Sequence, residues 1–243
     1  MELKGKTAFV TGGAIRIGKA ISTELANNDV NLAINYNRSN EAALRLKQEL
    51  ERTGVRVEIF QADINEINQL PCLFDRVNNT FGQVDILINN AGIFPKGKLI
   101  DLEKEKLYQV FNINLFAPLF LMQLFAKQLP DRSEGKIVNI IDAEIFKRNP
   151  ERFAYRLAKL GLWEATKLAA LELAPNITVN AISPGIMMSI AGYEHMDMQA
   201  VANRRVPLKR LGSAEIVAQN VIHILTQDFM TGHNIVIDGG EYL

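Results

Sequence analysis

The sequence has almost no cysteine, because Cys72 is the only one among its 243 residues. A single thiol cannot form an internal disulfide framework, and it cannot supply a cysteine-based zinc site. The three histidines show no ligand pattern either, so we predict no metal site. Such cysteine usage is typical of a reducing compartment, and we expect a cytoplasmic protein without a targeting segment.

Charge of one sign and long hydrophobic runs are also lacking. The 27 Lys and Arg residues balance the 27 Asp and Glu residues, which argues against binding to nucleic acid or to a membrane surface. The longest apolar-rich run, Leu115 to Ala126, is too short to span a bilayer, and it contains Pro118 and Gln123. This run is interpreted as a buried helix.

Short runs rich in Val, Ile and Phe alternate with helical patterns from one end of the chain to the other. The runs that predict strands are Thr7–Thr11, Val30–Tyr36, Val55–Gln61, Val84–Asn89, Lys136–Ile141, Ile177–Ser183 and Ile235–Ile237. The patterns that predict helices are Gly18–Asn28, Glu41–Thr53, Asn68–Phe81, Lys104–Leu129, Glu151–Leu173 and Ser213–Thr226. This alternation predicts an α/β fold with a doubly wound parallel sheet. No linker or repeat interrupts it, so residues 1–243 are expected to form one domain.

The segment from Ile186 to Gly212 is the least regular part of the sequence, with several methionines and no clear period. It follows the sixth predicted strand, and ligands of doubly wound sheets bind outside the carboxyl ends of the strands. We interpret residues 186–212 as a substrate lid. A packing excursion or a subunit contact is the alternative.

A glycine-rich turn, Thr11 to Gly18, joins the first predicted strand to the first helix. Such a turn lets the backbone approach a pyrophosphate, and the following helix N-terminus favours negative charge. The position predicts dinucleotide binding, although many such turns need glycine for steric reasons alone.

The end of the second strand indicates which dinucleotide binds. NAD sites usually present an acidic residue there for the ribose hydroxyl, but no acid occurs between Asp29 and Glu41. Arg38 can instead contact a 2′-phosphate, supported by Ser39 and Arg16. These residues favour NADPH, unless Arg38 is only a solvated surface residue.

Tyr155 and Lys159 lie four residues apart in a helical pattern, and therefore on one helix face. A nearby cation favours the phenolate of a tyrosine that must release its proton near neutral pH. Taken alone, such a pair is more often a surface pair than a site.

Together these motifs resemble the short-chain dehydrogenase/reductase family over nearly the whole chain. The resemblance rests on the glycine turn, the Tyr155/Lys159 pair and four further motifs: Asp63, Asn89-Asn90-Ala91-Gly92, Asn114 and Ser183-Pro184-Gly185. It implies a single-domain Rossmann-type oxidoreductase, usually a homotetramer. Tyr155 would be the proton donor, Lys159 would hold the ribose, and Asn114 would belong to a proton relay. The implied cofactor contacts are Gly12, Arg16, Ile17, Gly18, Tyr36, Arg38, Ser39, Asp63, Ile64, Asn90, Ala91, Gly92, Tyr155, Lys159, Pro184 and Gly185.

Two positions depart from the common pattern of this family. Arg16 replaces the middle glycine of the turn, and Asp142 replaces the usual catalytic serine, 13 residues before the tyrosine. An ionised aspartate cannot donate a hydrogen bond to a ketone oxygen, and it would repel a developing oxyanion. Either Asp142 is protonated in a desolvated site, or the substrate is not a simple ketone. A strand-end cap without chemistry is a further alternative for Asp142.

Both departures resemble the pteridine reductase branch, as do the second-strand ending and Phe94, which matches an aromatic ring that stacks on the pterin. Phe94 could also be ordinary core. The implied substrate contacts are Arg16, Phe94, Asp142, Tyr155 and Gly185. Gly92 and the short stretch from Ile93 to Glu103 differ from that branch, which has a serine and a long insertion there.

The sequence therefore predicts an NADPH-dependent reductase of a pterin, dihydropterin or dihydrofolate ring. The first alternative is a carbonyl reductase of the same family, such as a 3-oxoacyl carrier-protein reductase. The second is a noncatalytic NADPH-binding regulator. The partner is expected to be a small molecule.

Overall fold

A computed structural model describes residues 1–130, 133–187 and 197–243 of the chain. Its strands are β1 (Thr7–Val10), β2 (Asn31–Tyr36), β3 (Val57–Gln61), β4 (Ile86–Asn89), β5 (Gly135–Ile140), β6 (Ile177–Pro184) and β7 (Asn234–Ile237). Its α-helices are α1 (Arg16–Asn27), α2 (Asn40–Glu51), α3 (Leu70–Phe81), α4 (Lys104–Phe111), α5 (Ala117–Gln128), α6 (Phe153–Leu173), α7 (Met198–Arg205) and α8 (Ala214–Thr226). Short 3₁₀ turns occupy Ile67–Gln69, Leu99–Asp101 and Ala143–Phe146, and a π-helical segment occupies Asn112–Phe116.

The seven strands form one parallel sheet in the order β3-β2-β1-β4-β5-β6-β7. Successive side chains of a strand point to opposite faces, so Val10 packs into the core on one face and Phe9 into the core on the other. Helices α1, α2 and α8 cover the first face, while α3, α5 and α6 cover the second. The predicted α/β doubly wound sheet is therefore confirmed.

The strand order reverses between β1 and β4, because β2 and β3 extend to one side of β1 and the remaining strands to the other. The loops that leave the carboxyl ends of β1 and β4 diverge at this point and open a crevice. Ligands of doubly wound sheets bind in this crevice.

The predicted helix over residues 104–129 is wrong in one respect. The π-helical segment Asn112–Phe116 separates α4 from α5, because hydrogen bonds there span five residues rather than four. Residues Lys104–Gln128 are long and apolar enough to cross a membrane by length and composition alone. Leu121 and Phe125 of this stretch lie fully buried against the sheet, as predicted for a core helix.

Helix α7 is a second correction, because it lies within the segment 186–212, in which the sequence shows no helical period. Residues 188–196 of the predicted lid lie outside the described residues. The described flanks reach the cleft, since Ile186, Met187 and Arg205 line its cavity. The function of this segment as a lid stays a prediction.

Candidate functional site

A cleft opens at the carboxyl ends of the strands, where the strand order reverses. It contains a cavity of about 760 Å³ and a smaller one of about 200 Å³. Gly92, Phe94, Asp142 and Gly185 line both cavities, so the two adjoin. These residues follow β4, β5 and β6, and the β1–α1 turn completes the wall.

The β1–α1 turn brings the backbone close to the cleft. Gly12 has a φ of +59°, a left-handed conformation that glycine adopts without strain. A Cβ on Gly18 would collide with the carbonyl oxygen of Gly12 and would lie 2.7 Å from Asn90 Nδ2. Within the described chain, no side chain caps α1 at Ile15, and its first turn carries no acidic residue. This turn fits the predicted pyrophosphate, because the glycines keep space open in front of an uncapped helix N-terminus.

Hydrogen bonds tie the glycine turn to the loop after β4. Asn90 Nδ2 donates to the carbonyl oxygens of Thr11 (2.9 Å) and Gly12 (3.1 Å). In return, Thr11 Oγ1 accepts from the amides of Asn90 (3.0 Å) and Ala91 (3.1 Å). Asn90, which the sequence predicts as a cofactor contact, therefore also fixes the shape of the turn.

The end of β2 places the predicted adenosine-side residues at the rim of the sheet. Arg38 is exposed and Ser39 is half-buried, while Tyr36 is buried with its hydroxyl donating to Asn40 Oδ1 at 2.7 Å. Half-buried Asp63, beyond β3, accepts a hydrogen bond from the amide of Asn65 at 2.9 Å. Its neighbour Ile64 is buried.

Asp142 and Tyr155 are in direct contact in the cleft. The Tyr155 hydroxyl donates to Asp142 Oδ2 at 2.5 Å, while Asp142 Oδ1 accepts from the amide of Glu144 at 2.7 Å. Asp142 therefore caps the short helix Ala143–Phe146 and also contacts the predicted proton donor. Asp142 is therefore both a cap at the end of a strand, as the alternative interpretation of the sequence held, and a contact of Tyr155.

Lys159 and Asn114 lie deeper, behind Tyr155. Lys159 Nζ donates to the carbonyl oxygen of Ile140 at 2.7 Å. Asn114 lies in the π-helical segment, where its Nδ2 donates to the carbonyl oxygens of Ile93 (3.1 Å) and Val110 (3.0 Å). All four predicted catalytic residues line the smaller cavity.

The charges of Asp142, Lys159 and Tyr155 influence one another's pKa values. Burial raises the pKa of Asp142 to about 6, although hydrogen bonds from Tyr155 and Glu144 and the charge of Lys159 oppose the rise. Burial lowers the pKa of the Lys159 ammonium to about 8, against the attraction of Asp142. Burial also raises the pKa of the Tyr155 phenol well above its ordinary value, and the charge of Asp142 adds to the rise.

The raised pKa of Tyr155 corrects the expectation that a nearby cation favours its phenolate. In the structure, the group in contact with the Tyr155 hydroxyl is the Asp142 carboxylate, which stabilises the protonated phenol. The Lys159 ammonium donates to a main-chain carbonyl instead.

The Phe94 ring is half-buried, and it lines both cavities. Its centroid lies 4.6 Å from that of Tyr155 in a T-shaped arrangement. The guanidinium carbon of Arg152 lies 3.3 Å from the Phe94 centroid, and Arg152 Nη1 donates to the Phe94 carbonyl oxygen at 2.7 Å. Because the guanidinium covers one face of the ring, a planar ligand could stack only on the opposite face.

The predicted site residues do not include several residues of the cavity wall, among them Glu144, Arg152, Glu241 and Tyr242. Glu144 lies two residues after Asp142, and this short spacing is the sequence feature that could have identified it as a site residue. The turn at Asp238-Gly239-Gly240 carries the chain back to the cleft, so that the next two residues, Glu241 and Tyr242, line it. That return depends on tertiary structure and leaves no local pattern in the sequence.

The family model described as "Enoyl-(Acyl carrier protein) reductase" matches residues 13–241. A 3-oxoacyl-[acyl-carrier-protein] reductase of Staphylococcus epidermidis is 32% identical over 243 residues, covering 98% of this chain and 99% of the relative. Among solved structures, an alternative dihydrofolate reductase of Brucella canis complexed with NADP is 32% identical, with a TM-score of 0.91, covering 100% of this chain and 96% of that one. A short chain dehydrogenase of Burkholderia cenocepacia in complex with NADP is 33% identical, with a TM-score of 0.91 and full coverage of both chains.

The chain belongs to the short-chain dehydrogenase/reductase family. The resemblance seen in the sequence is thereby confirmed at the family level. Within this family, the similar proteins include a 3-oxoacyl-[acyl-carrier-protein] reductase and an alternative dihydrofolate reductase, so similarity alone does not select the substrate. The residues of the cleft are the remaining source of information about the reaction.

Proposed function

We propose that the protein is an NADPH-dependent reductase that transfers a hydride to a ring carbon of a pterin, dihydropterin or dihydrofolate. One observation carries this proposal, namely the 2.5 Å hydrogen bond between Tyr155 Oη and Asp142 Oδ2 in the cleft. It places an acid beside the proton donor at a position where the common family pattern has a neutral hydroxyl.

The cofactor of this reaction would be NADPH, which supplies the hydride. The glycine turn and the uncapped N-terminus of α1 suit its pyrophosphate, and exposed Arg38 with Ser39 suits a 2′-phosphate. The solved NADP-bound relatives support this assignment. The proposed contacts remain those predicted from the sequence: Gly12, Arg16, Ile17, Gly18, Tyr36, Arg38, Ser39, Asp63, Ile64, Asn90, Ala91, Gly92, Tyr155, Lys159, Pro184 and Gly185.

The proton would reach the substrate through Tyr155. Below a pH of about 6, the Asp142 carboxyl holds a proton of its own, so the pair can deliver one to a ring nitrogen and keep the phenol neutral. Lys159 and Asn114 would then connect Tyr155 to water, because both line the same small cavity. A ring nitrogen suits this pair, since it accepts a proton without passing through an oxyanion.

The flat substrate would bind on the face of Phe94 that lies opposite Arg152. Aromatic rings stack favourably in offset geometry. Arg152, on the other face of Phe94, holds the Phe94 ring in one orientation. Fixing the substrate plane in this way orients the reacting carbon. Arg16 and Gly185, which line the same cavity, are the remaining proposed substrate contacts.

A carbonyl reductase, such as a 3-oxoacyl carrier-protein reductase, is the second candidate. The similarity to the Staphylococcus epidermidis enzyme favours it. In this case a protonated Asp142 would donate the hydrogen bond that a serine hydroxyl usually donates. Both reactions use the protonated form of Asp142, so the pKa of about 6 does not favour either of them.

Consumption of NADPH should be followed with a dihydropterin, dihydrofolate and an acetoacetyl thioester side by side, using wild-type protein and the Asp142→Ser variant. We expect wild type to oxidise NADPH with the dihydropterin or dihydrofolate, and the variant to lose that activity. Turnover of the thioester alone, with a large gain in the variant, would replace the proposal by the carbonyl reductase. Tight NADPH binding without turnover of any substrate would indicate a noncatalytic regulator.

Assembly and compartment complete the proposal. Exposed apolar side chains on α6, including Leu168 and Leu171, suit a homotetramer. The single cysteine, Cys72, is an exposed free thiol, which suits a reducing cytoplasm.

A further inference from the structure

Two buried carboxylates in the wall of the larger cavity have no part in the proposed hydride and proton transfer. Glu144 and Glu241 are 7% and 6% exposed, and both line this cavity. Glu144 lies in the short helix that Asp142 caps. Glu241 lies in the turn after β7, which Asp238 fixes by accepting a hydrogen bond from the Tyr242 amide at 3.0 Å.

The two oxygens of Glu241 have different surroundings. Oε1 pairs with Lys147 at 3.2 Å and with Arg205 at 2.5 Å. Oε2 is completely buried and has no hydrogen-bond partner among the described residues. It lies 3.4 Å from the Cβ position of Gly185, a residue that lines both cavities. Because buried polar atoms in proteins are almost always hydrogen-bonded, this oxygen has an acceptor position that the described residues leave unused.

Glu144 is a second acceptor on the same wall. Its carboxylate accepts from Asn149 Nδ2 at 2.8 Å and from the Tyr242 hydroxyl at 3.3 Å, and both donors are neutral. Burial, with the charges of Glu144 and Glu241, raises the pKa of Tyr242 far above its ordinary value. Tyr242 therefore keeps its proton and stays a donor to Glu144.

We infer that Glu144 and Glu241 form a recognition subsite for an amino or amidine group of the substrate. N–H donors would satisfy Glu241 Oε2, and the partial positive charge of an amino-substituted nitrogen heterocycle would be attracted to Glu144. The inference rests on the proposed function and deepens it. It selects an amino-substituted ring over the same ring without the amino group, and over a neutral acyl thioester.

The test is binding calorimetry on the full chain loaded with NADP⁺, using two ligands that differ in one group. These are 2-amino-4-hydroxypteridine and 4-hydroxypteridine. We expect wild type to bind the amino compound at least about tenfold more tightly, the scale of one hydrogen bond to a charged group. In Glu241→Gln this preference should fall below about threefold, through weaker binding of the amino compound alone. Glu144→Gln should also lower the preference for the amino compound.

Glu49→Gln is the matched control, because Glu49 also pairs with a lysine but lies on the surface of α2, outside the cavity lining. It should keep the wild-type preference, and all three variants should keep the wild-type NADP⁺ affinity within error. Glu241→Gln should lower the melting temperature, because Lys147 and Arg205 lose their partner charge. If Glu241→Gln does not fold, the inference is tested by the binding of the two ligands to wild type and to Glu144→Gln.

Equal binding of the two ligands by wild type would overturn the inference, and dihydropterin-dependent NADPH oxidation would still support the proposed function. A preference for the amino compound without any such oxidation would support the subsite and remove the proposed function. The two failures are therefore distinguishable.

Discussion

At position 142, one side chain has two structural consequences. Oδ1 of Asp142 caps the short helix at Glu144, and Oδ2 holds the Tyr155 hydroxyl. Since burial raises the pKa of this carboxyl from 3.8 to about 6, its ionised form is less favourable in the folded protein than in the unfolded chain. Folding therefore takes up a proton in this pH range, and stability falls as the pH rises through it.

This linkage predicts that Asp142→Asn stabilises the fold in a pH-dependent way. Removal of the buried charge should add about 3 kcal/mol to the free energy of unfolding above pH 7, and almost nothing near pH 3, where the carboxyl is largely protonated in both states. Denaturant unfolding at several pH values measures the difference. The exposed Asp75→Asn on α3 is the control and should show no such trend. A gain that is equal at all pH values would contradict the assigned cause.

Arg38 is expected to determine the choice between NADPH and NADH. Arg38→Ala should weaken NADPH binding by about 10- to 100-fold, because one charge-assisted contact to the 2′-phosphate is lost. Binding of NADH, which has no such phosphate, should stay nearly unchanged. Fluorescence titration with both cofactors measures this, with the exposed Arg52→Ala at the end of α2 as the control. Equal weakening of both cofactors would show that Arg38 has only a structural role.

Most of the predicted site residues that line the cleft could be found from the sequence because they follow a strand end, share a helix face with another, or match a motif of the family. Asp142 and Tyr155 are of this kind. The pKa of Tyr155 could not be found in this way, because it depends on which charge contacts the hydroxyl. That contact is set by side-chain packing in three dimensions.

At the scale of elements, the β1–α1 turn depends on the absence of a side chain at one position. A Cβ at residue 18 would occupy the space of the Gly12 carbonyl oxygen and of Asn90 Nδ2. The hydrogen bonds from Asn90 to Thr11 and Gly12 prevent the turn from simply moving away. A side chain at residue 18 is therefore expected to displace the backbone that faces the cofactor.

Gly18→Ala should accordingly weaken NADPH affinity by at least about tenfold and lower the melting temperature, because the turn must open to admit the methyl group. Gly97→Ala is the matched control, since a Cβ there meets only Leu102 Cδ1 at an ordinary 3.8 Å. Titration and thermal unfolding of both variants measure the effects. Retention of wild-type affinity in Gly18→Ala would show that the turn does not approach the cofactor.

The strands and most helices could be predicted because buried parallel strands and amphipathic helices have distinct periods. The π-helical segment at Asn112–Phe116 could not, because a single widened turn changes the helical period too little to be seen in the sequence. Helix α7 is also invisible in the pattern. It spans only eight residues, of which Met198 and Ala202 are buried, and two buried positions are too few to give a period in the sequence.

At the scale of the whole molecule, α6 presents apolar side chains to solvent on its outer face. Leu157, Leu168 and Leu171 are exposed, and their spacing of 11 and 3 residues places them on one stripe. Leu171 is 79% exposed. Apolar stripes of this kind commonly mark contacts between subunits.

Sedimentation analysis should therefore give a native mass about four times that of the 27.2 kDa chain. Charged residues in the stripe, in the double variant Leu168→Glu/Leu171→Glu, should split this assembly into smaller species. The half-exposed Leu44→Glu on α2 is the control and should leave the assembly intact. A wild-type protein that sediments as a monomer would contradict the proposed homotetramer.

The only tryptophan of the chain, Trp163, lies on α6 eight residues beyond Tyr155, or about 12 Å along the helix axis. It packs against the buried cluster of Ile141, Ile145, Leu162 and Ala181, and the Lys167 ammonium lies 5.3 Å from its ring centroid. The protein therefore contains its own optical probe. Energy transfer from this single indole to a bound reduced nicotinamide should report cofactor binding without a label, and the same emission should follow unfolding from one known position.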